Sequence, residues 1–185
     1  MTIINELQLS KDLIRFPSVT PKDAGAIKFL SKKLKKLGFN CKILEFKDKK
    51  SKPIKNLYAR IGKKGPSLCY AGHTDVVPID GQNWNSDPFK IKEINGKIYG
   101  RGTCDMKGFI AICLALVPDM LEAKLKRPIQ LAFSYDEEVG CIGAPFMIRE
   151  MSKNLPKASS MGFKSFKRYD IAGKDDPQTK IVIKR

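Results

Sequence analysis

The sequence predicts an α/β fold, in which helices pack against a central sheet. Stretches with apolar residues at helical spacing alternate along the chain with short apolar runs that are typical of strands. Turn-forming Gly, Pro and Asn residues separate these segments. The 185 residues fit one ordinary domain, and an apolar share of 42% is enough to form a core. We therefore expect a folded domain rather than a disordered chain.

The first part of the predicted domain contains two helices and three strands. A helix is predicted from Ile3 to Phe16, and Pro17 breaks its pattern. A second helix is predicted from Asp23 to Leu37, with Gly38 as its stop. Three strand-like runs follow, separated by turns rich in Lys, Gly and Pro: Cys41–Phe46, Asn56–Ile61 and Ser67–Ala71.

The second part of the predicted domain contains a central strand and a buried helix. Pro128–Ser134 is mostly apolar, with Gln130 and Ser134 as its polar residues, and is predicted to be a central strand. Met106–Leu116 is apolar almost all round and follows a Gly-rich loop, so we expect a buried helix. The remaining predicted elements are a hairpin and a helix: Phe89–Lys92 paired with Lys97–Tyr99 through Asn95-Gly96, and Gly143–Met151.

The pattern changes after Pro156. Lys157–Arg185 has weak periodicity and many cations, although Lys180–Lys184 could pair as a short edge strand. We predict that residues 1–156 form the structured domain and that residues 157–185 are a divergent basic tail.

The composition bears on partners and location. The formal net charge is +16, but the lysines are dispersed and accompany no nucleic-acid-binding motif, so we expect a solvated lysine-rich surface and no nucleic-acid or membrane partner. The odd number of cysteines, five, with no Cys-x-x-Cys pair, favours a reduced, cytoplasmic setting. The N-terminus lacks the features of a secretion signal, and no apolar run is long enough to span a membrane.

His73 and Asp75 follow the apolar run that predicts the third strand. They are thus expected at the C-terminal edge of the sheet, where ligands collect in open α/β folds. Residues two apart in an extended segment share one side, so the Asp75 carboxylate can accept a hydrogen bond from the second ring nitrogen of His73 and make it a better metal ligand. A structural role for a lone histidine is the alternative.

Three further acids are expected near this edge. Asp105 lies between a Gly-rich turn and the predicted buried helix, where it could equally be a helix N-cap. Glu137 and Glu138 follow the predicted central strand and should point in different directions, so that one can reach a metal and the other its water. An exposed acidic turn is the alternative. Because three such clusters coincide at strand ends or ahead of a helix, we expect a metal-dependent hydrolase.

Three motifs resemble the M20 metallopeptidase and deacylase family: Gly72-His73-Thr74-Asp75-Val76-Val77-Pro78, Tyr99–Phe109 and Tyr135-Asp136-Glu137-Glu138-Val139-Gly140-Cys141. The resemblance runs from about residue 5 to about residue 156 and is greatest to the acetylornithine deacetylases of arginine biosynthesis. It implies a three-layer zinc-exopeptidase-like catalytic domain, with helices on both faces of a mixed sheet. The family's dimerisation domain has no counterpart here, although the full-length family is expected to be homodimeric.

The resemblance also implies a role for each site residue. His73 would bind one zinc ion, Asp105 would bridge two, and Glu138 would bind the second. Asp75 would orient His73, and Glu137 would be the general base in hydrolysis of a small N-acyl amino acid. Cobalt could substitute for zinc. Lys107 and Arg101 could meet an anionic substrate group, but a solvated lysine and the geometry at a helix start would explain them equally well.

Two ligands of the family pattern, a later acid and a second histidine, have no counterpart in this sequence, because His73 is its single histidine. Three functions therefore remain open. The first is an N-acetylornithine deacetylase, with the chain as given weakly active or inactive. The second is a related enzyme such as a succinyl-diaminopimelate desuccinylase or a dipeptidase. The third is a non-catalytic remnant.

Overall fold

The structure is a computed structural model that describes residues 4–47, 53–62, 67–123, 125–152, 165–170 and 179–184, the last two ranges by their backbone. It divides into two compact units, residues 1–149 and 150–185. The helices and strands in chain order are α1 Glu6–Ile14, α2 Ala26–Lys36, β1 Asn40–Phe46, β2 Ile54–Ile61, β3 Leu68–His73, β4 Lys92–Ile94, β5 Lys97–Tyr99, α3 Lys107–Ala115, α4 Val117–Glu122, β6 Ile129–Ser134, α5 Gly143–Ser152, β7 Ser165–Asp170 and β8 Thr179–Lys184.

Local capping sets the ends of the first two helices. The Asn5 side chain accepts a hydrogen bond from the backbone of Gln8 at 2.8 Å, which satisfies one free N–H at the start of α1. At the start of α2, the Asp23 carboxylate accepts a hydrogen bond from the backbone N–H of Ile27 at 3.2 Å. Gly38 follows α2 with φ +86°, a conformation that only glycine adopts readily, so its prediction as a helix stop is confirmed.

The central sheet is mixed and has the strand order β1-β2-β6-β3. β1 pairs with β2 and β2 with β6 in antiparallel fashion, whereas β3 pairs with β6 in parallel. All six residues of β6 are buried, which confirms the prediction of a central strand. Because β3 and β6 run parallel, both end at one edge of the sheet, where His73 pairs with Ser134.

Helices cover both faces of the sheet. On one face α1, α2 and α3 share a core with alternate residues of β2 and β6, such as Leu57, Leu131 and Phe133. On the opposite face Asn56 bonds to Gly143, the first residue of α5, and Phe46 stacks on Phe146 with 5.0 Å between ring centroids. The expected three-layer α/β architecture is therefore confirmed.

Some predictions differ from the structure. The prediction that α3 is buried all round is wrong, because Ile112 on this helix is 52% exposed and Phe109 and Leu116 are also exposed. The helix packs against α1 and β3 through its other side, which buries Ile110 and Leu114. α4 was not predicted, since Pro118 falls within its first turn.

The second unit contains a β-hairpin. β7 and β8 pair in antiparallel fashion, with Ser165 opposite Lys184 and Asp170 opposite Thr179. The predicted short strand Lys180–Lys184 lies within β8, whereas β7 was not predicted. Among the residues that the structure describes, no helix has the length and apolar character needed to cross a membrane.

Candidate metal centre

The predicted site residues meet at the edge where β3 and β6 end. His73 is the last residue of β3, and Glu137 and Glu138 follow β6 by a few residues. Asp105 reaches the same edge from the loop before α3. Gly108 lets this loop approach the helix, because a Cβ atom there would lie 2.2 Å from the Thr103 carbonyl oxygen. The N-cap of α3 is Met106, so the alternative of Asp105 as the helix cap is not what the structure shows.

Three of these side chains form a compact group of ligand atoms. One donor atom each from His73, Asp105 and Glu138 lies within 4.8 Å of the other two. His73 Nε2 is 3.0 Å from Asp105 Oδ1 and 3.8 Å from Glu137 Oε2. The fold thus brings together an imidazole and carboxylates from three separate segments of the chain.

The second ring nitrogen of His73 faces Asp75. Nδ1 is 3.1 Å from the Asp75 carbonyl oxygen and 3.5 Å from its carboxylate Oδ1. Because a carbonyl oxygen only accepts hydrogen bonds, Nδ1 must carry the hydrogen. In the neutral ring this leaves a lone pair on Nε2, which faces the group of carboxylates.

Asp75 contacts two of the three grouped residues. Its side chain is fully buried, and its Oδ2 accepts a hydrogen bond from the backbone N–H of Glu138 at 3.0 Å. Its other oxygen, Oδ1, makes no hydrogen bond to the part of the chain that the structure describes, and it lies 3.5 Å from His73 Nδ1. One carboxylate therefore contacts both His73 and the start of Glu138, as a second-layer residue of a metal site does.

The electrostatics of the group favour a bound cation. Burial lowers the pKa of His73, but the carboxylate of Asp75 and the charges of Glu137 and Asp105 outweigh this and raise that pKa to about 9. Burial raises the pKa of Glu138, and the charge of Asp105 adds to the effect. Mutual repulsion among the acids is relieved when a cation lies between them.

The donor set fits a zinc ion. Catalytic zinc sites have three protein ligands of the His, Asp and Glu types and an open fourth position. In this group the Nε2 lone pair and Asp105 Oδ1 face each other at 3.0 Å, an arrangement of two acceptors that needs a proton or a cation between them. The side chain of Asp105 is 57% exposed, so the group is open to a ligand from solvent.

The two basic residues singled out in the sequence, Lys107 and Arg101, both contact other protein groups. Lys107 is buried, and its ammonium group donates a hydrogen bond to the Phe16 carbonyl at 2.7 Å, so the alternative of a solvated lysine is not what the structure shows. Arg101 bonds to the side chain of Gln82 and lies 5.2 Å from the ring centre of Trp84.

A buried asparagine, which was not predicted from the sequence, holds the acidic loop. Asn56 accepts a hydrogen bond from the backbone of Tyr135 at 2.9 Å and donates one to the carbonyl of Gly143 at 2.9 Å. These two residues flank the loop that carries Glu137 and Glu138. A polar residue directly before the apolar run Leu57-Tyr58-Ala59 was the available signal, since buried polar groups need partners.

Comparison with known proteins supports the hydrolase prediction but not its preferred subgroup. The chain is 50% identical over 141 residues to the succinyl-diaminopimelate desuccinylase of Pelagibacter ubique, a match covering 75% of this chain and 37% of that protein. It is 41% identical over 157 residues to the Ehrlichia canis desuccinylase, covering 83% of this chain and 41% of that protein. The chain thus spans about two fifths of the length of these curated relatives. They favour the desuccinylase alternative over the acetylornithine deacetylase of arginine biosynthesis.

Solved structures and a family model give the wider assignment. The M20 family metallo-carboxypeptidase Sso-CP2 from Sulfolobus solfataricus superposes with a TM-score of 0.70 at 25% identity, covering 82% of this chain and 35% of that one. Human carnosine dipeptidase 1, at 22% identity, shares the fold with a TM-score of 0.70 over 81% of this chain and 36% of its own. The family model described as peptidase family M20/M25/M40 matches residues 69–175, which extends past Pro156. The chain therefore belongs to the M20/M25/M40 peptidase family.

Proposed function

We propose that this chain carries the metal-binding part of a zinc-dependent amidohydrolase that cleaves an N-acyl amide. The observation that carries the proposal is the approach of His73, Asp105 and Glu138 ligand atoms to within 4.8 Å of one another. In this proposal residues 1–156 belong to the catalytic domain and provide the three ligands. The family membership supports the proposal, because the relatives include a metallo-carboxypeptidase and desuccinylases.

The three ligands would hold one zinc ion. Zinc, when bound, polarises a substrate carbonyl and lowers the pKa of water toward neutrality. The family resemblance implied two zinc ions in a complete site. Among the described residues, three ligand atoms converge in a single group, which matches the ligand count of one catalytic zinc. Cobalt is the expected substitute, since it accepts the same nitrogen and oxygen donors.

Glu137 is the proposed general base. Its Oε2 lies 3.8 Å from His73 Nε2, beside the three-ligand group, and its side chain is partly exposed. The carboxylate would take a proton from the attacking water and pass it to the leaving amine. The water oxygen would become part of the released acid, and the amide C–N bond would break. Asp75 would keep the Nε2 lone pair of His73 directed at the metal position.

The proposed substrate is N-succinyl-diaminopimelate, which would be hydrolysed to succinate and diaminopimelate. The support is the identity of 50% to a succinyl-diaminopimelate desuccinylase over 75% of this chain. N-Acetylornithine is the second candidate, on the motif resemblance alone. Both reactions break an amide next to a charged amino acid, so the same ligands and base would serve either one.

The acid that is released, succinate or acetate, shows which of the two substrates is cleaved. We would incubate the 185-residue chain, in excess over substrate and loaded with zinc, with each N-acyl amino acid and quantify free succinate or acetate by mass spectrometry. Because the described residues provide ligands for one ion, we expect slow turnover, faster for the succinyl compound and abolished by a chelator. Glu137→Gln should reduce the rate by about 10²-fold or more, since general bases contribute about 10²–10⁴-fold.

Glu45→Gln is the matched control, because Glu45 is an exposed acid on β1. Its rate should equal that of the unaltered chain. Faster release of acetate would refute the desuccinylase assignment. A Glu137→Gln rate equal to that of the control would refute the role of Glu137.

A further inference from the structure

A fully buried lysine lies beside the candidate metal centre. Lys107 is 0% exposed, and its ammonium group donates a hydrogen bond to the Phe16 carbonyl oxygen at 2.7 Å. It is the first residue of α3 and follows Asp105 by two positions. Lysine is almost never buried completely unless its charge has partners. Its bond to a distant loop therefore calls for an explanation.

Phe16 begins a short loop, residues Phe16–Thr20, which we call the anchor segment. Ser18 in this segment donates a side-chain hydrogen bond to the Thr74 carbonyl at 2.6 Å. The Ser18 carbonyl accepts one from the backbone of Val76 at 3.1 Å. Thr74 and Val76 lie in the loop that directly follows His73. The anchor segment thus holds the chain beyond the first ligand.

The anchor segment also contacts the loop that carries the acids. The Thr20 hydroxyl donates a hydrogen bond to Asp136 Oδ1 at 2.6 Å, and the Tyr135 hydroxyl donates one to the Ser18 carbonyl at 3.5 Å. Tyr135 and Asp136 directly precede Glu137 and Glu138. Together with the Lys107 bond, these contacts connect all three ligand-bearing segments to one loop.

We propose that Lys107 is a positioning residue of the metal centre, which holds Asp105 in place relative to His73 and Glu138 by binding the anchor segment. The inference rests on the proposed function, because it concerns the same ligands. Lys107 does not reach the metal position itself in this account. It acts through the carbonyl of Phe16 and the start of α3.

If Lys107 contributed only to stability, its replacement would not weaken zinc binding. Burial of an ammonium group costs free energy, and an apolar residue of similar length avoids that cost. Methionine at this position should therefore leave stability equal or higher if Lys107 only fills space. The Lys107 charge interacts with the carboxylates of Asp23 and Asp75, so its removal should also strengthen zinc binding through electrostatics alone. Weaker zinc binding after Lys107→Met would thus point to positioning and to neither other effect.

The test is a calorimetric zinc titration of the 185-residue chain with Lys107→Met. We expect zinc affinity to fall by at least about tenfold, since loss of an outer-layer partner costs about 10- to 100-fold in metal affinity. The midpoint of urea unfolding should stay equal to or above that of the unaltered chain. Lys33→Met is the matched control, because Lys33 is on α2 and pairs with Asp12 at 3.8 Å. Its zinc affinity should be unchanged.

Thr20→Val is the second variant. It tests whether the anchor segment positions the zinc ligands if Lys107→Met fails to fold. It keeps the side-chain shape and removes the hydroxyl that bonds to Asp136. We expect it also to weaken zinc binding. If the folded variants bind zinc as tightly as the unaltered chain or more tightly, the positioning role is refuted, whereas the proposed function is not. Failure of the unaltered chain to bind zinc would overturn the proposed function and this inference together.

Discussion

His73 is the single histidine of the chain, and each of its ring nitrogens has a separate environment. Nδ1 faces the carbonyl of Asp75 at 3.1 Å, whereas Nε2 faces Asp105 at 3.0 Å. Both residues were singled out from the sequence, Asp75 because it follows a strand and Asp105 because it precedes a helix. The expected acceptor was the Asp75 carboxylate, whereas its carbonyl oxygen lies closer to Nδ1. The sequence could not identify the backbone bond from Glu138 to Asp75, because that contact depends on how the β3 and β6 loops pack.

The raised pKa of His73 predicts a pH-dependent zinc affinity. Burial lowers this pKa, but Asp75 and the neighbouring acids raise it to about 9. A proton on Nε2 competes with zinc, so the metal-free ring must lose its proton on binding. Apparent affinity should therefore increase with pH by about tenfold per unit below pH 9 and level off above it. Competition with a zinc-binding dye between pH 6 and pH 8 measures this slope.

Asp75→Asn is the informative comparison for this slope. Loss of the Asp75 charge should lower the pKa of His73, so the affinity should stop rising at a lower pH than in the unaltered chain. An affinity that stays constant from pH 6 to pH 8 in the unaltered chain would contradict the assignment of His73 as a ligand.

Secondary-structure elements were easier to predict than the contacts between them. The largely apolar run Pro128–Ser134 predicted β6 as the central strand, because a strand covered on both faces has few polar residues. The exposure of Ile112 on α3 was not predicted. An apolar helix looks the same in sequence whether one or both of its sides are covered. Likewise, sequence alone did not distinguish the buried Lys107 from a solvated lysine on a helix.

Asn56 connects β2 to the ends of the acidic loop, and its removal should destabilise the fold. Asn56→Ala would leave the backbone N–H of Tyr135 and the carbonyl of Gly143 without their partner in a buried site. Each buried group left without a hydrogen bond costs about 1–3 kcal/mol. We therefore expect a decrease of about 2–5 kcal/mol in the free energy of unfolding, measured by urea denaturation.

Asn40→Ala is the control for this prediction, since Asn40 is an exposed residue of β1. It should change the free energy of unfolding by no more than about 0.5 kcal/mol. A loss of stability in Asn56→Ala no larger than in this control would show that the two hydrogen bonds do not hold the loop.

The chain as a whole has an excess of basic residues, whereas its candidate metal site is acidic. Lys and Arg number 35 against 19 Asp and Glu, yet four carboxylates gather around His73. Such a concentration of acids in a basic chain is costly unless a cation binds there. The fold class and the meeting of the five candidate residues at one edge of the sheet followed from sequence, because their motifs are specific. The acyl group did not follow from sequence, since in the proposed function the same ligands and base would serve succinyl and acetyl substrates alike.

The most direct test of the metal centre is the zinc stoichiometry of the unaltered chain and of His73→Ala, with X-ray absorption used to identify the ligands. We predict one zinc ion per chain, bound by one imidazole and by carboxylate oxygens, and loss of this binding in His73→Ala. Zinc bound through cysteine sulfur, or zinc binding that His73→Ala leaves intact, would contradict the assignment of His73, Asp105 and Glu138 as the ligands.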